Sequence, residues 1–252
     1  MLSTVATNDD LAESWTDEYG VKYSKDGKRL LKCDNRQINR YVVKSGTKVI
    51  CKDAFKGCDL LREIELPCSL TSIGDKAFTT CGLQSLVIPN SVTNIGEEAF
   101  HGCKFKELDI PSSVINIGDG AFVHCDLQLT IHGNRFIEDG VCLIDATKQR
   151  LISFFKTGIK YYVVPDGVTA IGDLTFCDPI ECVKIPASVK TISQDAFYYS
   201  NVICIILPHA NTGVENLDIQ GETPYFVIPA CAKEEFEEIY YDKSMLFESD
   251  FF

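Results

Sequence analysis

Apolar positions recur along this 252-residue chain in a phrase about 22 residues long. Residues 64–111 hold two copies. Each has an apolar-x-apolar-Pro step, then Ser-[Leu/Val]-Thr-x-Ile-Gly, two polar residues, Ala-Phe, and a Cys three beyond the Phe. The Phe column runs Phe55, Phe78, Phe100, Phe122, at intervals of 23, 22 and 22. An Ile column (Ile50, Ile73, Ile95, Ile117) and a Pro column (Pro67, Pro89, Pro111) keep the same step. Self-similarity at such a period predicts a solenoid, in which each coil packs chiefly on its neighbours.

Within one coil, Leu86 and Ile88 alternate with Ser85 and Val87, so the pattern predicts a strand with the first pair inward and the second outward. Pro89 lacks an N–H and suits the strand's end. The glycines Gly74, Gly96, Gly118 and Gly172 predict either positive φ or a close approach between coils. The acids that follow, Asp75, Glu97, Asp119 and Asp173, suit the cap of a single helical turn. Stacked parallel strands sit about 4.8 Å apart, so eight or nine coils would span roughly 40 Å.

The period breaks twice. Gly20 to Cys33 holds two β-prone runs around Asp26-Gly27, a hairpin signal, and Tyr41-Val42-Val43 follows as a strand. A related segment recurs after Phe122: Gly140-Val141, Arg150-Leu151 and Tyr162-Val163-Val164 echo Gly20-Val21, Arg29-Leu30 and Tyr41-Val42-Val43. Hairpin modules are therefore expected near 20–43 and 138–164. Regular coils resume with Pro165, Pro186 and Pro208, carrying Phe176 and Phe197. Residues 1–18 read as an acidic leader, flexible or loosely docked, 19–241 as the solenoid and 242–252 as a tail. At the far end Phe236, Ile239 and Tyr240 have helical spacing, predicting a short capping helix over 232–241.

Composition narrows the classes. A hydrophobic share of 45% supports a folded core. A net charge of −12 disfavours nucleic acid and anionic membrane surfaces. No apolar run reaches membrane-span length. The first fifteen residues lack a basic n-region and an apolar h-region, so the expectation is a protein that stays inside the cell or one whose export segment precedes Met1. There are 12 cysteines, but Cys58, Cys81, Cys103 and Cys125 occupy equivalent positions on successive coils. A stacked column of small buried residues predicts free thiols rather than bridges.

The phrase IPxSVxxIGxxAFxxC, carried by residues 88–103 and 110–125, resembles the BspA-like class of leucine-rich repeats. Looser copies lie at 66–81, 164–176 and 185–197. The resemblance implies a mainly β, right-handed leucine-rich-repeat solenoid with parallel strand ladders. It also implies protein binding, often in adhesion at a cell surface, and no catalytic residues or cofactor.

The polar constellations point the same way. His101, His124, His132 and His209 lack metalloprotease spacing; His101 and His124 read as exposed turn residues beside buried cysteines rather than metal ligands. Cys177-x4-Cys182 is not a zinc-ribbon spacing. Outward strand positions are acidic early (Glu63, Glu65, Glu107, Asp109) and apolar or aromatic later. Tyr161, Val163, Lys184, Ile206, Tyr225 and Val227, with Cys182 and Cys204 among them, form either a protein-binding strip or a face covered by a loop or a hairpin module. The leading expectation is a surface or secreted adhesin-like module recognising a host or matrix protein. The alternative is a cytoplasmic scaffold protein.

Overall fold

The computed structural model describes residues 2–177, 180–198, 200–208, 225–228 and 245–247. It is a mainly β-solenoid with ladders on two sides of the coil. On one side Arg29–Cys33, Val49–Ile50, Ser72–Ile73, Asn94–Ile95 and Asn116–Ile117 pair in parallel, the Ile column lying in register. The ladder restarts with Arg150–Phe154, Ala170–Ile171 and Thr191–Ile192. On the other side Arg40–Val42 pairs with Glu63–Glu65, and Glu107–Ile110 with Gln128–Ile131. A five-stranded parallel ladder follows: Tyr161–Val163, Cys182–Lys184, Cys204–Ile206, Tyr225–Ile228 and Met245–Phe247.

Residues 85–88 differ from the expected ladder. Their side chains alternate as expected, with Leu86 at 8%, Val87 at 82% and Ile88 at 6% exposure, yet they join no sheet. Leu86 and Ile88 hold this segment from beneath, and clefts of about 470 and 390 Å³ open on its two sides.

Inside, the Phe column is a stack. Phe55, Phe78, Phe100 and Phe122 follow at centroid distances of 5.3, 5.6 and 5.8 Å with planes within 7°. Beside it the cysteines use their S–H groups between coils: Cys81 Sγ donates to the Phe55 carbonyl at 3.0 Å, Cys103 to Phe78 at 3.2 Å and Cys125 to Phe100 at 3.1 Å. Burial pushes the Cys81 thiol up to about 12 and that of Cys103 well above its usual value.

The expected single helical turn is instead a run of stacked turns. Asp53, Phe55 and Gly57 donate N–H bonds to Asp75, Ala77 and Thr79 of the next coil, and the pattern repeats from Lys76, Phe78 and Thr80. The glycine column serves close approach, not positive φ: a Cβ on Gly74 would stand 2.7 Å from the Lys52 nitrogen, and one on Gly96 2.5 Å from that of Asp75. Positive φ falls two residues later, at Lys76, Glu98, Gly120 and Leu174, and again before each cysteine, at Gly57, Thr80, Gly102 and His124. The acid column caps the next coil: Asp75 Oδ1 accepts the Glu97 N–H at 3.1 Å, and Asp119 Oδ2 that of Asp173 at 3.2 Å.

Both hairpin modules form. Val21–Tyr23 pairs antiparallel with Arg29–Cys33, and Phe136–Glu138, Cys142–Asp145 and Arg150–Phe154 make an antiparallel meander. Each module holds a buried tyrosine that donates to an aspartate before its hairpin: Tyr41 to Asp17 at 2.7 Å and Tyr162 to Asp139 at 2.5 Å. The second module also divides the interior. Phe136, Leu143, Ile152 and Phe155 face the N-terminal core, while Cys142, Ile144, Leu151 and Phe154 face a separate C-terminal core.

The N-terminal leader packs on the first hairpin module. Thr7 and Asp10 form a capping box on the helix Asn8–Ala12, and Asp10 pairs with Arg29 at 2.8 Å. Trp15–Thr16 extends the first hairpin, with Trp15 stacked on Tyr23 at 4.9 Å. These contacts hold because the leader covers an otherwise open sheet edge. The helix expected over 232–241 and the tail 242–252 lie outside the described residues, apart from Met245–Phe247, which forms a strand.

Candidate functional site: the outer face of the C-terminal ladder

The five-stranded ladder puts two rows of residues on its outer side. Tyr161, Cys182, Cys204 and Tyr225 are successive register partners, as are Val163, Lys184, Ile206 and Val227. Between the rows, Tyr162, Val183, Ile205 and Phe226 point inward and are at most 7% exposed. This alternation forces the neighbouring side chains outward.

Tyr161 is 52% exposed and Val163 48%. Lys184 is exposed, and Cys182, Cys204 and Ile206 are half-buried. The structure thus brings Tyr161, Val163, Lys184 and Ile206 together in one strip. Val227 departs from the sequence reading: it lies between Ile206 and the strand Met245–Phe247 and retains only 8% exposure. The open strip therefore ends at Ile206. Tyr225 has a described strand position, and its side chain lies outside the described residues.

The N-terminal outer face is more acidic, although Val42 at 56% and Val87 at 82% exposure also stand outward there. Arg40 pairs with Glu63 at 3.5 Å and Glu65 at 2.5 Å, while Glu107 and Asp109 stand outward further along. Sequence reasoning placed Val87 outward but did not anticipate the clefts beside it, because the loss of pairing at 85–88 leaves no signature in residue type.

His101 and His124 are half-buried, correcting their exposed placement. His101 and His124 lie 5.0 Å apart, and Glu98 takes up His101 Nδ1 at 3.4 Å as well as Lys76 at 3.0 Å. Among the described residues, no group of three or more His, Cys, Asp or Glu is placed to hold a metal ion. A further cleft of about 380 Å³ beside the second module is lined by Ile137, Ile144, Pro165 and Val168 together with Asp139 and Gln149. Among the described residues, no helix is long and apolar enough to cross a membrane.

Short coils, parallel ladders and an exposed strand face define a β-solenoid of the leucine-rich-repeat class. The chain belongs to the BspA type leucine rich repeat family, whose pattern matches in six copies over residues 33–138 and 150–218. No curated protein matches it. Among solved structures, a leucine-rich repeat protein from Eubacterium ventriosum is similar at 21% identity and a TM-score of 0.59, over 86% of this chain and 68% of that one. A leucine rich cell surface protein from Faecalibacterium prausnitzii is similar at 18% identity and a TM-score of 0.52, over 93% of this chain and 94% of that one. At these identities the likeness is one of fold.

Proposed function

We propose that this chain is a non-enzymatic protein-binding module that uses the strip Tyr161, Val163, Lys184 and Ile206, and that it works at the cell surface or after secretion, adhesin-like, against a host or matrix protein. One observation carries the reading: Tyr161 and Val163 are about half exposed on a paired strand whose central residue, Tyr162, is buried. An aromatic and an aliphatic side chain fixed on a rigid ladder can be desolvated by a partner at little entropic cost. Membership of a leucine-rich repeat family supports binding over catalysis. The test is a binding assay on immobilised extracellular-matrix proteins. Tyr161→Ser with Val163→Glu should weaken wild-type binding tenfold or more, and Glu107→Lys on the other face should leave it unchanged. The reverse outcome would move the site to the acidic face.

A second reading, an intracellular scaffold, is favoured by free thiols at described cysteines such as Cys58, Cys68, Cys81 and Cys103. Labelling intact cells with an impermeant biotin reagent separates the two, since only a surface protein is labelled.

A further inference from the structure

Cys182 and Cys204 are register partners on adjacent parallel strands. Their inward neighbours Val183 and Ile205 are fully buried, so both sulfurs stand on the outer face. Neighbouring strands lie about 4.8 Å apart, inside the Cα separation of about 4.4–6.8 Å that a disulfide spans. Both cysteines are half-buried, whereas Cys58, Cys81, Cys103 and Cys125 are at most 4% exposed. In the inner column the thiols of Cys81, Cys103 and Cys125 donate to carbonyl oxygens of neighbouring coils. The outer pair instead faces itself, side by side on adjacent strands of the ladder.

We infer that Cys182 and Cys204, adjacent and outward-facing, are a dithiol that a low-molecular-weight disulfide converts into a covalent staple between two coils. One cysteine, as thiolate, attacks a sulfur of the small disulfide, forming a mixed disulfide and releasing one small thiolate. The second cysteine, deprotonated in turn, attacks the protein sulfur of that mixed disulfide and releases the second. The protein loses two protons and two electrons, and the small disulfide is reduced to two thiols. The second step is intramolecular between side chains already adjacent, so it outruns the accumulation of a stable adduct. The staple would lock coils beneath the strip formed by Tyr161, Val163, Lys184 and Ile206. Those coils are otherwise joined by ladder hydrogen bonds and core packing.

The test treats the native full chain with cystamine, blocks remaining thiols with iodoacetamide and locates each modification by tandem mass spectrometry. Exposed Cys68 is the single-thiol comparison. The expected result is a retained cystamine adduct at Cys68 and a Cys182–Cys204 cross-link with no adduct at either position. In Cys204→Ser, Cys182 should instead hold an adduct and the cross-link should vanish. Separate adducts on both cysteines of the wild type, or a link from either to Cys177 or Cys231, would overturn the proposal. So would two unmodified thiols after Cys68 has fully reacted.

Discussion

Arg150 reaches back 31 residues to Asp119, with Nε 3.3 Å from Oδ1 and Nη2 against Oδ2. This fork ties the second hairpin module to the last regular coil before it. It also sets a cation beside the acid column, where burial first, and then Asp75, Asp119 and Asp173, raise the Glu97 carboxyl. Arg150→Gln should destabilise the protein by about 1.5–3 kcal/mol, the range for a hydrogen bond between charged groups. Urea unfolding measures it. A double-mutant cycle with Asp119→Asn should show clear coupling, and strictly additive effects would mean that the fork contributes nothing beyond packing.

Two backbone columns predict opposite responses. Thr80 is β-branched and exposed, yet has φ 55° at a position where Gly57 and Gly102 stand on the neighbouring coils. Thr80→Gly should stabilise by about 1 kcal/mol, raising the melting temperature by about 2–4 °C. At Gly96 a Cβ would press on the backbone of residues 74 and 75, which cannot swing away. Gly96→Ala should therefore cost about 1–3 kcal/mol. Thermal denaturation of the two variants checks both signs, and a destabilised Thr80→Gly would contradict the strain argument.

The solenoid was legible because each column of Phe, Ile, Pro and Cys keeps one residue type at one step. The left-handed positions were not, because Lys76, Glu98 and Leu174 carry no turn signal and only Gly120 among them does. The division of the core was partly visible. Residues 142–144 and 151–155 are near-continuous apolar runs, the pattern of strands covered on both faces, and the meander is so buried. In the site, alternation placed Tyr161, Val163, Lys184 and Ile206 correctly on one face. It did not give Val227 its low exposure, because alternation decides which face a side chain takes and not what packs over that face.

Glu98 sets a pH dependence. His101 first, then Lys76, hold its carboxyl below the usual range against the opposing effect of burial. A lowered carboxylate contributes stability that is complete above its unfolded value, near pH 4.3–4.5, and is lost as pH falls through the lower folded value. Melting temperatures measured downward from about pH 5 should therefore fall more steeply in the wild type than in Glu98→Gln. Parallel curves would show that the pair with His101 makes no net contribution.

The two cores predict where damage stays. Phe100 is stacked between Phe78 and Phe122 and meets Phe105 edge-on at 5.8 Å, all in the N-terminal core. Phe197 stacks on Phe176 at 5.0 Å in the C-terminal core. Truncating either to alanine should cost about 3–5 kcal/mol. If coils are held chiefly by neighbours, Phe100→Ala should speed hydrogen exchange in the coils before the second module. Phe197→Ala should act on the coils after it and leave the Ile50–Ile117 ladder protected. The meander, whose strands face both cores, is where the two effects should meet, so its amides should respond to both variants. Equal loss of protection along the whole chain in both would mean one cooperative unit, with the hairpin module coupling the cores rather than separating them.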